Sequence, residues 1–518
     1  MVHYRVEAAM LKSRDLSRRT FVLGASAAIG MAATRRAFAD AAADEATAGL
    51  LNLSAGEAVA RMSRGEITVE RYASALLARC GALRSLNAFI TLEPAQVLEA
   101  ARACDRKRRI GRKTGSLFGL PIPVKDSVNT RGYPTTGGTP ALRHFRPAED
   151  APLVHTLKAH GAIVLGKTNL HELSFGWTSN NLAFGAVRNP YDTTRIPGGS
   201  SGGTAVAVAT HMAPLGVGED TRGSIRVPAA MCGISGLRPT TGRYPSQGVV
   251  PLTPLFDQVG PLARTVSDLA LFDSVVTNDW QPLPQRSVEG VRLGIARGYW
   301  FKDLDPEVER VTGLALERLK DAGVEIVEGD FPGLQSLIDL TASKVILHDA
   351  LRTLPRYLQK YGAGVTLDEL VNQASTDVRD DFRNLVMPGA PNLVSEDTYL
   401  AARDTHLPAL RRAYQEYFAR TGISAIVFPV TMVPATPIGQ DIEVDIRGQK
   451  MSFSNAMRRN ISPSSCAGAP GLVLPAGLTT AGLPVGIEFD APAREDRRLL
   501  ALGLSLERAL GPVPAPNV

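Results

Sequence analysis

The chain has 518 residues, of which 44% are hydrophobic and 21% charged. This length and balance are typical of a globular protein with a large buried core, and they exclude a small module. Residues 1–39 hold seven Lys or Arg and two Asp or Glu, so +5 of the net charge of +6 lies there and +1 remains for the rest. The basic composition therefore does not indicate binding to nucleic acid or to an acidic membrane surface.

The N-terminal residues have the order of features found in an export signal. Arg18 and Arg19 precede an uncharged run over residues 21–33, which is too short to span a membrane as a helix. Ala37, Phe38 and Ala39 then form a small-x-small cleavage site. Residues 1–39 resemble a bacterial twin-arginine signal peptide. We expect export of the folded protein to the periplasm or medium, without stable membrane association; a basic leader or an uncleaved anchor is the alternative.

From residue 54 the chain alternates helical and strand-like segments. Ser54 and Glu57 have capping-box spacing at the start of a helical stretch that extends to residue 109. "LFGLPIPVK" is typical of a buried strand. "DAPLVHTLKAHGAIVLGKT" and "GTAVAVATHMAPLGVG" each read as a helix followed by a buried strand. This alternation predicts an α/β fold, with helices covering both faces of the sheet.

The second half of the chain continues this pattern after a helical region. Residues 333–421 are mostly helical in pattern, whereas "SAIVFPV", "GLVLPAG" and "LPVGIEF" predict strands and residues 495–510 a closing helix. The late strands need a sheet to join. We therefore predict one large domain over residues 40–518, with a variable and mainly helical region at about 300–421 as an insertion or cap.

The cysteines and one histidine raise the question of a metal site. Cys80, Cys104, Cys232 and Cys466 are widely spaced and form no C-x-x-C pair. They predict buried free thiols, because four cysteines in so long a chain do not make a disulfide scaffold. His171 in "HELSFG" has no second histidine four residues later, so the zinc-protease pattern is missing.

Three segments carry residues suited to nucleophilic catalysis. Lys125 ends the apolar run "LPIPVK", Ser200 and Ser201 lie in "PGGSSGG", and Ser224 lies in "DTRGSIR". A lysine at the mouth of a buried strand has a lowered pKa and can act as a general base for a serine. The surrounding glycines allow backbone N–H groups to approach a ligand oxygen. The pattern predicts a serine hydrolase with lysine in place of histidine.

These segments together resemble the amidase signature family. The motifs "GLPIPVKDS", "GKTNLHELSFG", "PGGSSGG", "DTRGSIRVPAA" and "CGISGLRPTTGR" stand in the family's order, with 75 residues from Lys125 to Ser200 and 24 from Ser200 to Ser224. The resemblance is strong over 54–275 and 424–510 and weak between them. It implies a single α/β domain with a mixed, twisted sheet, and "GLRPTTGRYPSQGVVP" is most similar to the indoleacetamide and mandelamide hydrolase branch.

The resemblance also implies roles for particular residues. Lys125 matches the catalytic lysine, Ser200 the bridging serine on a cis peptide bond, and Ser224 the nucleophile. The proton would pass from Ser224 through Ser200 to Lys125, and an acyl-enzyme would form without a metal or organic cofactor. The oxyanion hole would consist of the backbone N–H groups of Thr221, Arg222, Gly223 and Ser224.

Arg222 departs from the family pattern, which has glycine there. If that position needs a positive φ, an arginine is strained, and its side chain either points to solvent or holds a substrate group. Asp220 and Arg226 are expected to form an ion pair that braces the loop. Phe175 and Trp177 fall where the family builds the walls of the acyl pocket, although core packing explains them nearly as well.

The expected partner is a small-molecule amide, foremost an aryl or arylalkyl amide, and the expected assembly is a monomer or a homodimer. Acylanilides, peptide amides, carbamates and esters are the alternatives within the fold. An α/β-hydrolase esterase that uses the "GGSSG" turn is another, but the polar stretch "RNPYDTTRIP" before it is unlike a buried strand. The A subunit of a glutamyl-tRNA amidotransferase and an inactive binding protein complete the alternatives.

Overall fold

One sheet of eleven strands organises the chain in this computed structural model, which describes residues 48–284 and 287–518. The predicted export signal lies outside the described residues. The strands, including two short two-stranded ribbons, are β1 (Phe89–Leu92), β2 (Pro121–Lys125), β3 (Ile163–Thr168), β4 (Asn180–Asn181), β5 (Gly185–Ala186), β6 (Leu215–Asp220), β7 (Ser235–Arg238), β8 (Gln258–Ala263), β9 (Arg292–Ile295), β10 (Glu325–Glu328), β11 (Ala425–Pro429), β12 (Glu443–Ile446), β13 (Gln449–Ser452), β14 (Gly471–Leu478) and β15 (Pro484–Asp490).

The strand order in the large sheet is β1-β3-β2-β6-β8-β7-β14-β15-β11-β9-β10. Strand β2 runs parallel to β3 and β6, and β9 runs parallel to β10 and β11. In the centre of the sheet each strand pairs antiparallel with the next one in space, in the order β6, β8, β7, β14, β15 and β11. The prediction of a mixed sheet in a single α/β domain is thus confirmed, and residues 53–518 form one compact unit.

The α-helices of this unit pack against the sheet and against one another. They span Ala55–Arg64, Val69–Ala82, Pro94–Arg109, Pro152–Ala159, Gly202–Ala209, Arg226–Met231, Val266–Thr277, Arg297–Trp300, Pro306–Asp321, Leu334–Lys360, Leu367–Gln373, Thr376–Leu385, Glu396–Ala401, Leu407–Thr421, Phe453–Arg458, Ser462–Ala467 and Asp496–Leu510. The region from about 300 to 421 is mainly helical, with β10 within it.

Helices cover both faces of the sheet, as two adjacent residues of β14 show. Leu472 faces Gly503 of the helix Asp496–Leu510. Val473 lies on the same side as Gly486, which approaches Ala230 of the helix Arg226–Met231 so closely that an added Cβ would collide with it. Because successive side chains of a strand point to opposite faces, the two helices lie on opposite sides of the sheet.

Local sequence signals explain where several elements begin. The predicted capping box is present, since the Ser54 hydroxyl accepts from the Glu57 N–H at 3.2 Å and the Glu57 carboxylate accepts from the Ser54 N–H at 2.9 Å. Strand β2 is buried along its whole length, as its apolar composition predicts. Its Lys125 therefore enters the interior at the carboxyl end of the strand.

All four cysteines are free thiols, but they differ in burial. Cys80, Cys232 and Cys466 are buried as predicted, whereas Cys104 is half-exposed. Over residues 48–284 and 287–518, no group of three or more His, Cys, Asp or Glu is arranged to hold a metal ion. No helix in those ranges has both the length and the apolar character needed to cross a membrane.

Candidate active site

The fold brings Lys125, Ser200 and Ser224 to one edge of the sheet. Lys125 is the last residue of β2, and the neighbouring parallel strand β6 ends at Asp220, just before the loop that carries Ser224. Ser200 precedes the helix Gly202–Ala209 and follows a cis peptide bond from Gly199. Sites in α/β folds commonly form at the carboxyl ends of parallel strands, where loops and helix starts converge.

Lys125 is completely buried and is held by three short contacts. Its Nζ lies 2.7 Å from Ser200 Oγ, 2.8 Å from Glu219 Oε2 and 3.2 Å from the Glu219 carbonyl oxygen. A neutral amine offers two N–H donors and one lone pair. As an ammonium, Nζ donates to all three oxygens, whereas in the neutral form two donors directed at the Glu219 oxygens leave the lone pair for the Ser200 hydroxyl.

Burial sets the charge state of this lysine. Removal from water lowers the Lys125 pKa from its usual 10.5, while the negative charge of Glu219 works in the opposite direction, and the net change is a decrease. A lowered pKa increases the neutral fraction near pH 7, which is the form that accepts a proton. The structure thus gives Lys125 the environment that the sequence predicted for it.

Glu219 and Asp257 surround this contact, and neither was identified from the sequence. Thr221 Oγ1 lies 3.0 Å from Glu219 Oε1 and 2.7 Å from Asp257 Oδ1. One hydroxyl hydrogen cannot serve both carboxylates. Burial, followed by repulsion from Glu219, raises the Asp257 pKa to about 8. The acidic pair that ends "LGVGED" was the available signal for Glu219.

In the loop before Ser224, the residue with a positive φ is Gly223, one position after Arg222. Gly223 has φ of +103°, and an added Cβ would collide with Ile461, so this position requires glycine. Arg222 is not among the residues with positive φ, and the strain considered for it is therefore absent.

The amides of this loop are not equivalent. The Gly223 N–H donates to Asp220 Oδ1 at 2.6 Å. Within the described part of the chain, the N–H groups of Thr221, Arg222 and Ser224 donate to no protein atom. Three of the four predicted oxyanion donors are thus open to a ligand, whereas the fourth is already engaged.

The predicted ion pair between Asp220 and Arg226 is present and entirely buried. Arg226 Nε lies 3.0 Å from Asp220 Oδ2, and its Nη1 lies 2.7 Å from Glu488 Oε1 on β15. Ser201 supports the same region, since its hydroxyl donates to the Glu219 carbonyl oxygen at 3.2 Å. These contacts connect the loop that carries Ser224 to the centre of the sheet.

A cavity of about 260 Å³ opens beside Ser224. This is near the lower end of the range for small-molecule pockets, about 300 Å³ and upward. Phe175 and Trp177 both line it, and Trp177 Nε1 donates to the Arg222 carbonyl oxygen at 3.0 Å. The remaining wall residues are Ser174, Gly176, Thr221, Arg222, Leu252, Ser343, Ile346, Leu347, Asp381, Leu385, Ser454 and Arg458.

The esterase alternative required a buried strand directly before the "GGSSG" turn. Residues 187–199 contain no strand, and β6, the buried strand of this region, lies after the turn rather than before it. The turn is therefore unlike a nucleophile elbow.

Comparisons with known proteins point to one family. The chain matches the family model described as Amidase over residues 71–500. It is 36% identical over 465 residues to an indoleacetamide hydrolase of Agrobacterium vitis, which covers 90% of this chain and 98% of that protein. A mandelamide hydrolase of Pseudomonas putida is 36% identical over 484 residues, with 90% and 93% covered. A solved structure described as the crystal structure of an amidase has a TM-score of 0.79 at 31% identity, over 89% of this chain and 100% of that one.

These matches span nearly all of the described chain and favour neither the esterase nor the amidotransferase alternative. The chain therefore belongs to the amidase family, as a hydrolase that acts on amide C–N bonds.

Proposed function

We propose that this amidase hydrolyses small aryl or arylalkyl carboxamides through an acyl-enzyme on Ser224. The observation that carries the proposal is the 2.7 Å contact between Nζ of the fully buried Lys125 and Oγ of Ser200, beside a cavity lined by Ser224. The relatives named for indoleacetamide and mandelamide support the substrate class, as do the aromatic side chains of Phe175 and Trp177 in the cavity wall.

In the first half-reaction Ser224 Oγ attacks the amide carbonyl carbon. Its proton moves to Ser200 Oγ, and the Ser200 proton moves to the neutral Nζ of Lys125, which becomes an ammonium. The carbonyl oxygen becomes an oxyanion and accepts from the open N–H groups of Thr221, Arg222 and Ser224. The C–N bond then breaks, the relay returns the proton to the departing amine, and an ester to Ser224 remains.

In the second half-reaction water attacks the ester carbonyl carbon. The water proton enters the same relay, the bond from carbon to Ser224 Oγ breaks, and the relay returns a proton to Ser224. This step releases a carboxylic acid and restores the Ser224 hydroxyl of the enzyme. Glu219 keeps the lysine in position throughout, because both of its contacts to Nζ use N–H donors that do not take part in the transfer.

The proposal is tested by hydrolysis of an amide panel by the purified protein and four variants. The panel holds benzamide, phenylacetamide, indoleacetamide, an acylanilide and an amino-acid amide. We expect Ser224→Ala to lower kcat about 10⁴-fold or more, with similar losses for Ser200→Ala and Lys125→Ala, because residues that act as a unit cost nearly the same when removed singly. Ser201→Ala is the matched control and should lose far less.

Two outcomes contradict the proposal. Activity that survives Ser224→Ala places the nucleophile elsewhere and makes Ser200 or Ser201 the candidate. A parent protein that hydrolyses only the acylanilide or the amino-acid amide rules out the aryl carboxamide class while leaving the relay in place.

A further inference from the structure

Among the residues that the structure describes, Arg222 is a buried cation without an anionic partner. Its side chain is only 8% exposed, and its Nε has no hydrogen-bond partner there. Its Nη1 donates to Ser343 Oγ at 3.2 Å, and its guanidinium carbon lies 5.5 Å from the centre of the Trp177 ring. These neutral contacts hold the side chain against the cavity. They do not replace the hydration that a guanidinium loses on burial.

A second arginine contacts the same serine. Arg458 Nη1 lies 3.5 Å from Ser343 Oγ, and Arg458 also lines the cavity beside Ser224. The two guanidiniums repel each other. Burial and then the charge of Arg458 lower the Arg222 pKa to about 9. Two like charges that converge on one hydroxyl are unfavourable unless an anion neutralises them.

The described residues do not supply that anion. No carboxylate of these residues forms an ion pair with Arg222 or with Arg458, and the largest effect of a neighbouring charge on Arg222 is that of Arg458. Arg458 is influenced by Asp339, which is exposed and forms no ion pair with it. Asp381 lines the same cavity but forms no ion pair with either arginine, and burial raises the pKa of its carboxyl.

We propose that Arg222 and Arg458 form a subsite for a carboxylate that the substrate carries in addition to its scissile amide, an inference that rests on the proposed function. The planar fork of an arginine matches a carboxylate with two parallel hydrogen bonds, and both Arg222 and Arg458 line the cavity. The apolar wall beside it, which includes Leu252, Ile346 and Leu347, accommodates the carbon skeleton between the two groups.

The test compares pairs of neutral and anionic amides of the same shape. The probes are the 3- and 4-carboxy derivatives of phenylacetamide and the corresponding nitro derivatives, because a nitro group has the planar shape of a carboxylate without its charge. We expect kcat/KM to favour the carboxylate by about tenfold or more for at least one position, as two charge-assisted hydrogen bonds imply. The opposite result, equal or better hydrolysis of the nitro compounds at both positions, overturns the subsite and leaves the amidase proposal standing.

Variants assign the preference to the two arginines. Arg222→Gln and Arg458→Met should each reduce the carboxy-to-nitro ratio at least several-fold, and Arg458→Lys should retain part of it. The ratio within each variant is the readout, since the Arg222 N–H also belongs to the proposed oxyanion hole. Arg459→Met is the matched control, because Arg459 lies next in sequence but does not line the cavity, and its ratio should match the parent's.

Two further outcomes separate this inference from the function on which it rests. A preference for the carboxylate that persists in Arg222→Gln, Arg458→Met and Arg459→Met alike places the anion elsewhere and overturns the subsite. A parent protein inactive toward all four probes and toward benzamide, phenylacetamide and indoleacetamide overturns the proposed substrate class and the subsite together.

Discussion

At the scale of single residues, we expect the contact between Lys125 and Glu219 to set the pH at which the proposed relay works. The Glu219 charge stabilises the ammonium form of Lys125 and so opposes the effect of burial on its pKa. Glu219→Gln removes that charge and keeps a similar shape. The Lys125 pKa should therefore fall further, and the rising limb of kcat/KM against pH should move to lower pH.

The measurement is the pH profile of kcat/KM for the parent, Glu219→Gln and Asp257→Asn on one amide. Asp257 is the control, because its raised pKa of about 8 leaves it mostly neutral below that pH and its influence on Lys125 is smaller. A rising limb that stays in place, or moves to higher pH, in Glu219→Gln would show that another group limits the reaction.

The sequence predicts those site residues that lie within recognisable motifs. Lys125, Ser200 and Ser224 are identified in this way, and the structure places Lys125 against Ser200. Asp257 and Arg458 are not identified, because folding alone brings them to the site from distant segments. Arg222 is conspicuous in the sequence as a departure from glycine, but only the structure shows that its side chain is buried beside a second arginine.

At the scale of secondary structure elements, the buried charges around Arg226 fix a short helix to the sheet. The helix Arg226–Met231 has only six residues, too few to be stable by itself. Its first residue contacts Asp220 at the end of β6 and Glu488 on β15. This ionic contact holds the start of the helix, and hence the Ser224 loop, at the sheet.

Asp220→Asn should destabilise the protein strongly at neutral pH. Removing one partner from a buried ion pair costs about 3–5 kcal/mol, and Asp220 also accepts from the Gly223 N–H. Burial raises the Asp220 pKa, but Arg226 outweighs it and brings the value to about 2, below the usual 3.8. The stabilisation is therefore present above pH 3.8 and is lost as the pH falls toward 2.

Urea unfolding of parent and variant at pH 7 measures this difference in the free energy of unfolding. Asp404→Asn is the control, because Asp404 forms an exposed pair with Arg403 and its loss should change stability little. Equal midpoints for parent and Asp220→Asn would contradict the prediction, as would a difference that grows as the pH is lowered.

Element prediction from the sequence succeeds where the local pattern agrees with the final environment. Strands β2, β3, β6, β11, β14 and β15 are apolar runs bounded by turn residues, and each is found. Strand β8 is missed because "QVGPLA" contains a glycine and a proline and reads as a loop. Its pairing with β6 and β7, residues distant in sequence, makes it a strand.

At the scale of the whole molecule, we propose that residues 1–39 direct export and are removed after Ala39. The paired arginines Arg18 and Arg19 and the following uncharged run support this proposal. Replacing both arginines with lysine should retain the protein in the cytoplasm of a bacterial host without changing its amidase activity.

Cell fractionation with an activity assay checks this, and mass spectrometry of the exported form should place its N-terminus at Asp40. Ser17→Ala is the control, because it changes a residue next to the arginines but keeps Arg18 and Arg19, and it should be exported like the parent. Equal export of the parent and the lysine variant would contradict a twin-arginine route.

The position of the last two strands has a consequence for biosynthesis. β14 and β15 lie between β7 and β11, so the strands β1 to β8 and the strands β9 to β11 have no hydrogen bonds to each other except through them. A nascent chain that has emerged only as far as β11 can therefore form at most two unjoined half-sheets with open edges. The sheet can become continuous only when β15, which ends at residue 490, has left the ribosome. Unpaired strand edges are therefore exposed until the last part of translation, and we expect a chaperone to be needed most at that stage.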